Sequence, residues 1–270
     1  MRLLAMAVAC GIFLVGCSGG ETLPYEHRTD WQQHFATQDT EGTFVLSKIG
    51  SDDPPLVYNI QRARLRIPPA DTYKLLASLI FLETEVVESL DEEVVWNGEG
   101  RPVRLMARSQ SLADAYEKPV DWVYEQLGDD VGASRMEVWT SRAGYGNEDT
   151  RSLDGRMWRD GTLTVTPFDQ IEFMSSLFGD EHPFDRYSTF DVIDLMEEES
   201  GPGWTLTHAA ATAYADGKPY GWLIGSVETE DDTWAFAMNT DLVAGEYLVT
   251  TARMAVTRAI LESMEILPAA

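Results

Sequence analysis

Residues 66–74 read Arg66-Ile67-Pro68-Pro69-Ala70-Asp71-Thr72-Tyr73-Lys74, and the chain continues Leu75-Leu76-Ala77-Ser78-Leu79-Ile80-Phe81-Leu82-Glu83-Thr84. Two prolines followed by an apolar run predict a helix over Asp71–Leu90, since proline is tolerated at a helix start and not inside it. Leu75, Leu76, Leu79 and Ile80 recur at helical spacing and are expected to bury one face. Asp71 and Lys74 lie one turn apart on a shared face, which places a carboxylate beside an ammonium at the start of a largely apolar helix. The spacing predicts a partly buried salt bridge.

Working outward, Thr43-Phe44-Val45-Leu46-Ser47 reads as a strand ahead of this helix. Behind it, Asp121–Leu127 reads as a second helix. Phe168–Leu177 reads as a third, opened by Thr166-Pro167 with Asp169 in its first turn. The acidic run Glu197-Glu198-Glu199 precedes Ser200-Gly201-Pro202-Gly203 and reads as a solvated loop. Two apolar runs, Gly221–Val227 and Thr233–Met238, flank Glu228-Thr229-Glu230-Asp231-Asp232 and predict a hairpin of buried strands. Thr250–Leu267 closes the sequence as an amphipathic helix, with Met254, Val256, Ile260, Leu261 and Met264 apolar. Strands near both ends with helices between them predict an α+β domain whose sheet gathers both termini.

With 20 Lys and Arg against 45 Asp and Glu, the net charge is −25. Nucleic-acid binding needs clustered cations and is excluded as an expectation. The acidity itself speaks to solubility rather than fold. At the N-terminus, Arg2 precedes an apolar run, Leu3–Val15, that is too short to span a bilayer and suits a signal peptide. The run ends Leu14-Val15-Gly16-Cys17, which is similar to the lipobox of bacterial lipoproteins. Residues 1–16 are therefore expected as a lipoprotein signal peptide. Cys17 is the expected lipidation site, residues 17–40 the lipidated N-terminus and tether, and 41–270 the domain. Trp31 and Phe35 mark an early helix in that tether. Cys10 and Cys17 are the two cysteines, so no disulfide is expected in the mature domain. The expected location is the cell envelope, anchored to a membrane by lipid and facing the periplasm.

Several ordered segments resemble the class D serine β-lactamases (oxacillinases) and the related penicillin-binding domains. Tyr58-Asn59, Arg62-Ala63 and Arg66–Ala70 lead into what in that family is the nucleophile helix, and Leu79–Thr84 continues it in the family's style. Val95-Trp96-Asn97-Gly98 resembles a Trp-Asp-Gly turn, Tyr145-Gly146-Asn147 a Tyr-Gly-Asn motif, and Trp158-Arg159-Asp160-Gly161 a Trp-x-x-Gly segment. Gly221-Trp222 through Asn239 resembles the terminal hairpin, and Arg253 stands where the family keeps an arginine for the substrate carboxylate. The resemblance implies the serine β-lactamase/penicillin-binding fold: an antiparallel sheet formed by both chain ends, flanked by helices and a helical insertion. By the same resemblance Val120, Tyr145, Trp158, Thr212 and Arg253 are expected to line the substrate cleft, with Trp158 at its edge.

The catalytic motifs depart from the pattern. The family's Ser-x-x-Lys supplies a nucleophilic serine and a lysine base, which in class D is carbamylated. Asp71-Thr72-Tyr73-Lys74 keeps the lysine and replaces the serine. Thr72 lies about 100° around the helix and Ser78 two turns on, so neither substitutes easily. Ser-x-Val is matched by Pro119-Val120-Asp121, which lacks the hydroxyl, and Lys-Thr-Gly by Ala211-Thr212-Ala213, where only the threonine remains. A carboxylate one turn from Lys74 favours the ammonium over the free amine that carbamylation requires.

His27, His34, His182 and His208 lack metal-ligand spacing, so neither a metal nor any cofactor is expected. The expectation is a non-hydrolytic β-lactamase-like pseudoenzyme. Its expected partners are a peptidoglycan fragment or β-lactam-like ligand, or an envelope protein. The alternative is an active class D-like β-lactamase or penicillin-binding acyl-transfer enzyme that uses other residues.

Overall fold

The computed structural model describes residues 25–98, 106–118, 120–151, 156–242 and 251–269. The signal peptide, Cys17 and Pro119 lie outside the described residues. The strands are β1 (Glu26–His27), β2 (Gly42–Lys48), β3 (Leu56–Tyr58), β4 (Glu93–Val94), β5 (Gln110–Ser111), β6 (Glu197–Gly201), β7 (Trp204–Ala215), β8 (Lys218–Thr229) and β9 (Thr233–Asp241). The α-helices are α1 (Gln32–Thr37), α2 (Ile60–Ala63), α3 (Tyr73–Glu83), α4 (Leu112–Glu117), α5 (Asp121–Val131), α6 (Ala133–Arg142), α7 (Met157–Asp160), α8 (Pro167–Phe178), α9 (Arg186–Ile193) and α10 (Thr251–Ser263).

Seven strands form one sheet in the order β1-β3-β2-β9-β8-β7-β6, so that β2 from the N-terminal part and β9 from the C-terminal part pair inside it and the sheet gathers strands from both ends, as expected. Every neighbouring pair is antiparallel except β1–β3, which runs parallel. The long hairpin β8–β9 pairs from Tyr220↔Asp241 to Glu228↔Thr233, and its turn is closed by Thr229 donating from N to the Asp232 carbonyl at 2.8 Å. Gly225 is required in β8, because a Cβ there would lie 2.0 Å from the Thr207 carbonyl oxygen of β7.

The sheet is covered on both faces. One core joins α3, α5 and α8 to the strands through Leu75, Leu76, Leu79, Ile80, Val123 and Met174. A second is built from Trp31 and Phe35 with Phe44, Phe236, Val256, Ile260 and Leu261. Helix α8 opens on a capping box, with Thr166 Oγ1 accepting from Asp169 N and Asp169 Oδ2 accepting from Thr166 N.

Three expectations are corrected. The first helix ends at Glu83 rather than Leu90, because Glu85 takes the left-handed conformation (φ 55°) and breaks the ladder. Residues 25–40 are part of the fold and not a tether: Trp31 and Phe35 are fully buried, and Trp31 packs edge-on to Phe44 at 5.6 Å. The acidic run Glu197–Glu199 is not a loop but part of edge strand β6. Charged side chains there discourage a further strand from pairing with the edge.

Candidate active-site cleft

The loop before α3 is drawn tightly onto the sheet. Trp222 Nε1 of β8 donates to the Pro68 carbonyl at 2.9 Å. Ala70 adopts a left-handed φ of 49°, an unfavourable conformation for a residue with a Cβ. The 3₁₀ turn Ala70–Thr72 then delivers Asp71 to the head of α3, beside β7.

Asp71 and Lys74 form the expected ion pair, Oδ1 to Nζ at 3.2 Å. Two further charged groups complete it. Asp121, at the start of α5, places Oδ1 3.3 Å from Lys74 Nζ. Arg159 of α7 donates from one terminal nitrogen to both Asp71 oxygens, at 2.8 and 2.9 Å, and to Asp121 Oδ1 at 3.2 Å. The result is a closed ring of two carboxylates and two cations. Lys74 is only 2% exposed, whereas Asp71, Asp121 and Arg159 each keep between a quarter and a third of their side-chain surface. The Tyr124 ring centroid lies 5.0 Å from Lys74 Nζ and supplies a cation–π contact from below. Burial pushes the Asp71 carboxyl up, but the Lys74 ammonium and Arg159 guanidinium outweigh it and hold the group below the ordinary carboxylate range.

Neither hydroxyl near Asp71 is poised for attack. Thr72 Oγ1 donates to the Pro69 carbonyl and accepts from Gln170 Nε2, both at 2.8 Å, in a buried setting. Ser78 Oγ donates to the Lys74 carbonyl at 2.8 Å and meets Tyr124 Oη at 3.2 Å.

The other expected residues are distributed unevenly. Thr212 is half-buried on β7, paired with Gly221. Arg253 is 3% exposed, and one terminal nitrogen donates to the carbonyls of Ala211 at 2.9 Å and Trp222 at 2.6 Å, which clamps β7 to β8. Val120 is a buried core side chain ahead of α5. Tyr145 is fully buried, with Oη donating to Gln170 Oε1 at 3.4 Å. Trp158 is 2% exposed and stacks on Tyr73 with centroids 5.5 Å apart. Among the described residues, no group of three or more His, Cys, Asp and Glu side chains could hold a metal. His208 lies on β7 opposite Glu197 of β6, with Nε2 3.9 Å from that carboxylate, and burial lowers its pKa despite Glu197 and Glu199.

Sequence reasoning missed Asp121 and Arg159 as site residues. The available signal was charge: each falls inside a family motif, one acidic and one basic, beside a helix already carrying Asp71 and Lys74.

The family profile of the penicillin binding protein transpeptidase domain matches residues 32–262. The beta-lactamase OXA-2 of Salmonella typhimurium is 31% identical over 242 residues, covering 89% of this chain and 86% of that protein. The chain belongs to the class D β-lactamase family. Another relative, named "Probable beta-lactamase YbxI", of Bacillus subtilis, is 32% identical over 204 residues and 76% of each chain. The solved structure of the class D β-lactamase YbXI from Nostoc superposes with a TM-score of 0.78 at 27% identity, covering 88% of this chain and 99% of that one. FUS-1 (OXA-85) from Fusobacterium nucleatum gives 0.79 at 25% identity, covering 90% and 100%. The ionic ring is thus carried on a class D frame.

Proposed function

We propose that this class D relative is a non-hydrolytic envelope lipoprotein, anchored through Cys17 and facing the periplasm, that binds a peptidoglycan fragment or an envelope protein partner in its cleft. The observation that carries the reading is the ring of Asp71, Lys74, Asp121 and Arg159. A carboxylate attacking a lactam carbonyl would form a mixed anhydride, a better leaving arrangement than an ester and one that reverts readily. Asp71 is further disarmed because two cations already share its oxygens. Lys74 is engaged by two carboxylates and is not free to take a proton from an attacking group, and Arg159, paired with the same two, is a guanidinium that cannot serve as a base. Expulsion of the amine also lacks the hydroxyl that Pro119 replaces and the lysine that Ala211 replaces.

The β-lactamase names of the relatives favour a second reading, that this chain acylates or hydrolyses penicillins through other residues. A fluorescent penicillin separates the two. The proposal expects no label that survives denaturing electrophoresis. Stable labelling that disappears on changing Asp71 or Thr72 would overturn it in favour of the enzyme.

A further inference from the structure

Behind the ionic ring lies a separate cavity of about 230 Å³ between α3, α5, α6 and α7. Its walls are aromatic: Tyr73 and Phe81 from α3, Tyr124 from α5 and Trp158 from α7. Met136 and Met157 supply adaptable apolar surface beside them. Asp71, Lys74, Asp121 and Arg159 are not among its walls. Tyr73 and Trp158 stack with an interplanar angle of 15°, and Tyr124 is the wall shared with the ring, since its ring centroid lies 5.0 Å from Lys74 Nζ.

Gly128 provides an independent observation. It sits in the interior of α5 and lines the cavity, and a Cβ built on it meets no atom within 4 Å. Glycine is the poorest helix former after proline. No positive φ calls for glycine here, and the space beside its Cα leaves room for a Cβ. As Gly128 lines the cavity, a longer side chain there is expected to take up part of its volume.

The mouth is charged. Glu125 is paired with Arg156 at 3.5 Å and Arg151 with Asp149 at 2.7 Å. Asp129, also at the rim, is exposed. An apolar cavity of about 150 Å³ is known to accept a benzene ring, so the larger volume here suits a bicyclic ring. The rim adds an acceptor for a cation.

We propose that this cavity is a binding site for a small aromatic amine, with the ring seated against Tyr73, Tyr124 and Trp158 and the ammonium at Asp129. The site shares Tyr124 with the surroundings of Lys74 but none of the four ring residues, and does not depend on whether Asp71 is catalytic.

Calorimetric titration of the full-length chain with tryptamine, indole and indole-3-acetate tests this. Tryptamine is expected to bind saturably, indole more weakly and indole-3-acetate weakest. Gly128→Leu is expected to weaken tryptamine at least about tenfold while melting no lower than the parent, since leucine favours the helix. Asp129→Asn is expected to erase the preference for tryptamine over indole and leave indole unchanged. Should Gly128→Leu fail to fold, Gly128→Ala carries the test with an expected loss of about threefold. Absence of saturable binding by tryptamine and indole, or unchanged affinity in a folded Gly128 variant, would overturn the proposal.

Discussion

Replacing Lys74 by methionine removes a cation from the centre of the ring while keeping the buried stem. The Lys74 side chain is 2% exposed, and its Nζ lies 3.2 Å from Asp71 and 3.3 Å from Asp121. Its loss leaves two carboxylates sharing Arg159, and the local charge changes from zero to −1. Breaking a fully buried pair costs about 3–5 kcal/mol, and an exposed one at most about 1. Asp71 and Asp121 retain 31% and 26% of their surface, so water partly screens the orphaned charge. The expected cost is about 2 kcal/mol, or roughly 4–6 °C in melting temperature for a domain of this size. Adding Asp71→Asn restores neutrality, because Asp121 and Arg159 still pair at 3.2 Å. The double variant should recover to within about 1 kcal/mol of the parent, giving a coupling energy of about 1–2 kcal/mol. Thermal and urea unfolding of the four proteins of this cycle provide the measurement. A Lys74→Met variant as stable as the parent, or a double variant that loses the sum of both singles, would refute the reasoning.

Because the fold lowers the Asp71 pKa, its contribution to stability is complete above the unfolded carboxylate value of about 3.9 and fades as pH falls through the lower folded value. Asp71→Asn should therefore be less stable than the parent at pH 7, with the gap narrowing only as pH falls below about 3.9; a constant gap would contradict the ion pairing. Trp31→Ala should cost about 3–5 kcal/mol in unfolding experiments, since the indole is fully buried against Phe44. A loss below about 1 kcal/mol would return residues 25–40 to the role of a tether. Cleavage before Cys17 with acylation of its sulfur should be visible by mass spectrometry of the envelope protein, and Cys17→Ser should abolish it; an unmodified start elsewhere would count against the anchor.

Much of this architecture was legible because it rests on local pattern. The proline pair at 68–69, the alternation of the terminal hairpin and the Thr166-Pro167 helix start all encode their structure within a few residues. The Asp71–Lys74 pair was legible for the same reason, being one helical turn. What escaped was non-local or conformational. The end of α3 depends on a left-handed Glu85, with neither glycine nor proline to mark it. The burial of Trp31 and Phe35 depends on the second face of the sheet, which forms only when α10 returns. Asp121 and Arg159 are 38 positions apart and meet only because α5 and α7 converge on the head of α3. Arg253, expected to face substrate, instead turns inward onto two strand carbonyls, a choice that only the assembled β7–β8 pair defines.

Asp71→Ser removes one carboxylate of the ring and puts a hydroxyl at position 71, where the resemblance to class D enzymes implies the nucleophile. Asp121 would still pair with Lys74, and the resemblance to class D enzymes implies that Pro119 and Ala211 stand where groups assisting amine departure are needed. Penicillin hydrolysis by the purified variant, followed with and without added bicarbonate, is therefore predicted to stay at the parental background. Bicarbonate-dependent turnover by Asp71→Ser alone, well above the parent, would show instead that a single substitution silenced an otherwise competent site.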